Sequence, residues 1–209
     1  MFRRLPVYLL VDTSSSMRGN KIATVERGIK ELIESLKREP MALETAFISV
    51  ITFATEVKQV VPLSDLFHWN LPELKAGGRT YLGKALTFLK DCADREVRKN
   101  TPEAKGDWRP IVFIMADGGS TDAITKVSKA FNQRKWGNVV ACAIGEKANV
   151  EQLSKITPTV VRLKDGSETD LTAFFKWVSA SISTASTSVG AGADFSEKLP
   201  PLPPEIILI

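Results

Sequence analysis

The chain has 209 residues, of which 44% are hydrophobic and 25% charged, and a net charge of +4. That length suits one full domain with a sizeable core, and so mild a basicity excludes the dense basic stripe of a nucleic-acid binder while leaving room for acidic protein partners. No run approaches the roughly 20 apolar residues of a transmembrane helix, and the N-terminal apolar run is too short for a signal-peptide core. The cysteines, Cys92 and Cys142, have no metal-type spacing. The expectation is a cytoplasmic chain in a reducing compartment, with no membrane or nucleic-acid role.

Residues 5–11 are continuously apolar, as in a strand buried on both faces, and run into Asp12. Ser14 and Ser16 follow at two-residue spacing on a tight loop. Residues 20–38 carry Ile22, Val25, Ile29, Leu32, Ile33 and Leu36 at helical spacing, with Asn20 as candidate N-cap and Pro40 just past the end. Residues 45–53 form the next strand, and 57–61 its antiparallel partner. Residues 62–79 read as a loop, in which the single histidine, His68, stands between Phe67 and Trp69 as a packing residue. Gly77-Gly78-Arg79-Thr80 then leads into a helix over 81–97, and Thr80 is placed either to cap it or to face a ligand.

Residues 111–116 (IVFIMA) are a second run apolar on both faces, and it too ends in a carboxylate, Asp117. A helix over 122–134 follows, with Asp122 as a charge at its start. A strand at 139–144, a short helix at 150–156, a strand at 159–163 and a helix over 171–182 complete the pattern. From Ser183 the chain turns rich in Ser, Gly, Ala and Pro. A domain over 1–184 is expected, with 185–209 as a tail outside the core. Its LPPLPP stretch is either a docking peptide or a stiff linker, and its Ser and Thr residues are candidates for phosphorylation.

Strands alternating with helices predict an α/β fold: a doubly wound, mostly parallel six-stranded sheet with helices on both faces and one antiparallel edge strand. In such a sheet the first strand neighbours the one after the second long helix, and ligands sit at the carboxyl ends of strands at that switch point. Asp12 and Asp117 are therefore expected side by side, with Ser14, Ser16 and Thr80 converging on them. This is an oxygen-only set that suits Mg²⁺, or another hard divalent cation such as Mn²⁺. Neutral hydroxyls leave the ion short of charge, so a carboxylate from outside would complete its shell.

The combination of Asp12-Thr13-Ser14-Ser15-Ser16, Thr80 after a Gly-rich loop, and strand-ending Asp117 resembles the von Willebrand factor type A domain. That family's metal-ion-dependent adhesion site uses these five positions, which implies a non-catalytic module binding an Asp or Glu of a partner protein. Arg79, Tyr81, Gly119 and Ser120 beside the site are candidates for partner contacts. The stretches RRLPVYLLVDTSSSMRG, ALETAFISVITFATEVKQVVPL and KGDWRPIVFIMADGGSTD look closer still to the TerY-type proteins of bacterial tellurium-resistance operons. That resemblance implies a signalling setting with a protein kinase and a PP2C-type phosphatase. Two positions depart from the family pattern: Ser15 stands where Gly is frequent, and Ala116 where a Thr often supports the metal.

Two other readings remain. A Mg²⁺-dependent phosphatase-like hydrolase would place its nucleophile at the Asp12 position, but it needs a general acid two residues on, where Ser14 stands. A phosphorylatable adaptor would act through the Ser and Thr residues of 183–196.

Overall fold

Strand β1 (Leu5–Asp12) is buried along its whole length, which is why its sequence shows no polar alternation. Leu5, Val7, Leu9 and Val11 enter the core on one side of the sheet, Tyr8 and Leu10 the core on the other. β2 (Ala46–Phe53) and β4 (Ile111–Ala116) flank β1, both parallel to it. β5 (Asn138–Ile144) and β6 (Val160–Leu163) extend the parallel array beyond β4. Both edges are antiparallel: β3 (Val57–Asp65) lies on β2 and β7 (Ile206–Leu208) on β6. The computed structural model, which describes residues 2–117, 119–146, 148–163, 166–191 and 199–209, thus contains a seven-stranded sheet of order β3-β2-β1-β4-β5-β6-β7.

Helices cover both faces, as the alternating pattern requires. α1 (Asn20–Lys37), α2 (Pro40–Thr45) and α6 (Glu168–Gly190) share one core; α3 (Leu82–Glu96), α4 (Thr125–Asn132) and α5 (Val150–Ser154) share the other. The chain winds outward through β2 and β3, then returns across the sheet to β4. The reversal falls between β1 and β4, where neighbouring loops diverge and leave a crevice at the carboxyl rim. None of the described helices is long and apolar enough to cross a membrane.

The structure corrects the expected outline in several places. The sheet has seven strands with two antiparallel edges. Residues 185–190 continue α6, because Ala185 and Val189 prolong the buried stripe of Phe174, Val178 and Ile182 at helical spacing. Ser186, one of the candidate phosphate acceptors, is fully buried there; 192–196 lie outside the described residues. The chain end docks on its own sheet, with the Ile209 amide donating to Val160 and Trp177 Nε1 donating to the Pro200 carbonyl. Pro40 starts α2 at its first turn, where proline loses no helical hydrogen bond.

In the loop after β3, Leu66, Trp69, Leu71 and Leu74 are the anchors. His68 is no packing residue: its side chain is exposed and pairs with Asp65. Cys92 and Cys142 are free and buried.

Where α1 crosses α6, Gly28 lets the Phe175 ring lie almost on the helix backbone; a Cβ there would come within 2.1 Å of the ring. Gly28→Val should therefore destabilise the domain by about 2 kcal/mol through overpacking. Urea denaturation reads this as a lower midpoint at unchanged slope; an unchanged midpoint would contradict the packing described.

Candidate metal centre

Asp12 closes β1 and is fully buried. Parallel pairing of Val11 with Met115 leaves Asp12 and Asp117 at the same ends of adjacent strands, β1 and β4. One Asp12 oxygen, Oδ1, accepts the Ser14 amide at 2.7 Å. The other, Oδ2, is buried with no hydrogen-bond partner among the described residues. Burial raises the Asp12 pKa from 3.8 to about 6; Ser14 and the Asp117 backbone amide oppose the rise and the Asp117 charge adds to it.

Asp117 is better served. Ser16 Oγ donates to its Oδ1 at 2.5 Å, and Lys21 Nζ to its Oδ2 at 2.9 Å. The Ser14 and Ser16 hydroxyls are 3.0 Å apart, in a 3-10 turn (Ser15–Met17) pinned by fully buried Met17. Ser15 faces solvent and contributes its backbone instead, its amide donating to the Gly78 carbonyl.

Four loops are stitched into one rim by such bonds. The Gly77 amide donates to Thr13, and the Arg79 amide to Thr55 Oγ1. Gly78 holds φ +85°, and a Cβ on it would lie 2.4 Å from Thr55 Oγ1, so this loop needs glycine there. The Thr80 carbonyl accepts both the amide and the hydroxyl of Thr121, which ties it to the loop after Asp117.

Thr80 does not cap α3. The N-cap position is Tyr81, without a side-chain cap. The first amides of α3 are instead met from the facing loop: Leu82 donates to Ser120 Oγ, and Gly83 and Lys84 donate to the two oxygens of Asp122. Asp122 is thus not the start of α4, which begins at Thr125, but a cap supplied across the rim. Ser120 is likewise turned inward, its amide bonded to Gln152 and its hydroxyl to Asp122. Arg79 and Gly119 are exposed and Tyr81 is half-buried under the Lys84 ammonium.

The structure thus brings Asp12, Ser14, Ser16 and Asp117 together directly, while Thr80 is tied through its backbone carbonyl to the loop after Asp117. All the side-chain donors are hard oxygens, and no cluster of three or more His, Cys, Asp or Glu exists among the described residues. An unpartnered, buried carboxylate oxygen within an oxygen-only set fits a hard divalent cation. Sequence reasoning missed Lys21 and the cross-rim role of Asp122. A lysine in the first turn of a helix that starts at this rim was the available signal for the first.

Residues 7–177 match the model of the von Willebrand factor type A domain. No curated protein matches significantly by sequence. Among solved structures, a von Willebrand factor type A protein from Catenulispora acidiphila is 18% identical, with 87% of this chain and 43% of that one covered at TM-score 0.64. The paralog VWA2 of ArnB from Sulfolobus acidocaldarius is 17% identical, with 84% and 45% covered at TM-score 0.61. Proximal thread matrix protein 1 from the mussel byssus, solved with a zinc-occupied MIDAS motif, is 20% identical, with 86% and 48% covered at TM-score 0.62. The chain spans about half the length of these neighbours, and at such identities the likeness is one of fold.

A raised carboxylate pKa means that this group's contribution to stability is complete below pH 3.8 and lost as pH rises through about 6. Asn at this position carries no charge to lose. Asp12→Asn should therefore leave metal-free stability near wild type at pH 4 and exceed it by roughly 2 kcal/mol at pH 7.5. Urea denaturation in EDTA at both pH values checks this; a wild type that is the more stable at pH 7.5 would show that the buried charge is already compensated.

Proposed function

This chain belongs to the von Willebrand factor type A domain family, and on that premise we propose that it is a non-catalytic protein-binding module. It would hold Mg²⁺, or Mn²⁺ in its place, through Asp12, Ser14, Ser16, Thr80 and Asp117, and capture an acidic residue of a partner protein. The observation that carries this reading is the unpartnered Asp12 Oδ2, fully buried at the carboxyl rim of the sheet. A buried carboxylate oxygen without a partner is costly unless a cation or a hydrogen-bond donor meets it. The zinc in the MIDAS motif of the mussel byssus protein supports a site of the same kind on this fold.

When bound, the ion supplies an electrophilic coordination position that a carboxylate can take. The protein's part is to hold the ion with a coordination position left for the partner. The hydroxyls of Ser14, Ser16 and Thr80 add no charge to that of the two carboxylates, so an outside Asp or Glu meets no further anionic ligand there. Ser16 is on the exposed side of the set, which leaves an approach from solvent. Arg79, Tyr81 and Gly119, on the loops beside the set, would border that approach and contact the residues flanking the captured acid. Ser120, already bonded inward, would act by supporting the loop.

The likeness of several stretches to TerY-type proteins supports a cytoplasmic setting beside a protein kinase and a PP2C-type phosphatase in tellurium-resistance signalling. Against the hydrolase reading, Ser14 occupies the place where an aspartyl-phosphate enzyme needs an acid, and its hydroxyl cannot serve near neutral pH.

Mg²⁺ at about 100 times its Kd should add about 2.7 kcal/mol to stability, a rise in Tm of roughly 5–10 °C. Asp12→Asn and Thr80→Ala should lose that rise, as read by thermal denaturation with and without EDTA. Identical curves for wild type with Mg²⁺, Mn²⁺ or EDTA would sink the metal reading. In pull-downs from the native host, EDTA, Asp12→Ala and Ser14→Ala should each release the same partner; a partner retained under all three would mean recognition does not pass through this site.

A further inference from the structure

Lys21 lies outside the five-residue ligand set, yet its Nζ is 2.9 Å from Asp117 Oδ2. The Asp117 side chain is 1% exposed and that of Lys21 is 36% exposed, so the ammonium reaches a buried carboxylate from the solvent side. The position is electrostatically odd for a lysine. It is the second residue of α1, where the positive end of the helix dipole disfavours a cation, and no acidic residue stands in that first turn. Helix-local forces would favour Asp or Glu there. What the lysine gains instead is Asp117, one of two neighbouring buried carboxylates, with Ser16 already on its other oxygen.

We propose that Lys21 is a built-in counter-cation of this site: it neutralises Asp117 while the site is empty and competes with the divalent ion for that carboxylate, so it sets the metal affinity. This rests on the metal reading above and goes beyond it, because it assigns a role to a residue that is not a ligand. The competition has a simple origin. A fixed positive charge hydrogen-bonded to a ligand carboxylate raises the free energy of any further cation placed there, and strongly so where water is scarce. The lysine stem is long and a third exposed, so the ammonium can withdraw into solvent. The same charge also spares the empty domain a second uncompensated carboxylate beside Asp12.

Isothermal titration of Mg²⁺ into wild type, Lys21→Met and Lys21→Arg tests this. Lys21→Met should bind Mg²⁺ about tenfold more tightly than wild type. Lys21→Arg, which keeps the charge, should bind as wild type does. Thermal denaturation in EDTA should show a lower Tm for Lys21→Met than for wild type, and saturating Mg²⁺ should close that gap. If Lys21→Met does not fold without metal, Lys21→Gln, which retains a hydrogen-bond donor, replaces it in both measurements. Equal or weaker Mg²⁺ binding by the neutral variant would overturn the proposal and leave the metal reading standing. A wild type that binds neither Mg²⁺ nor Mn²⁺ would overturn both.

Discussion

Two carboxylates end adjacent parallel strands, and the rim is organised around their burial. Register between β1 and β4 puts Asp12 and Asp117 side by side, and both are buried. Like charges in a poorly solvated place repel and are costly. The rise of the Asp12 pKa to about 6 comes first from burial, with the Asp117 charge adding to it. Ser16 and Lys21 serve Asp117, whereas Asp12 Oδ2 is left without a partner.

That asymmetry is the feature on which the proposed cation site rests. A turn would satisfy its own acceptors. Here the backbone groups of three loops are bonded to one another, through Ser15 to Gly78, Gly77 to Thr13 and Thr121 to Thr80, while a buried side-chain oxygen is not. Hydroxyls are weak individual ligands, so a site built from them depends on being held ready. The interlocked loops supply that order without drawing on the side chains of the oxygen set itself. Asp122 and Ser120 contribute by meeting the first amides of α3 from across the rim. Thr80 is thereby released from the capping duty its position suggests.

Much of the fold was legible because its signals are local. Apolar runs without alternation marked β1 and β4, and helical stripes marked α1 and α3. The switch-point rule then placed Asp12 and Asp117 together although more than a hundred residues separate them. What failed did so where composition and spacing disagreed. The Ser- and Thr-rich stretch after Ser183 looks like linker, yet Ala185 and Val189 keep the helical period and are buried. Pro40 looks like a terminator but opens a helix. The chain end pairs with β6, a long-range contact with no local signal. Asp122 and Lys21 were hidden for the same reason, since each acts on an element other than its own.

If an ion completes this set of oxygens, crystals grown with Mn²⁺ reveal it through anomalous scattering. We expect an anomalous peak among Asp12, Ser14, Ser16, Thr80 and Asp117 that disappears in Asp12→Ala crystals. A well-ordered rim at saturating Mn²⁺ with no peak among those residues would contradict it.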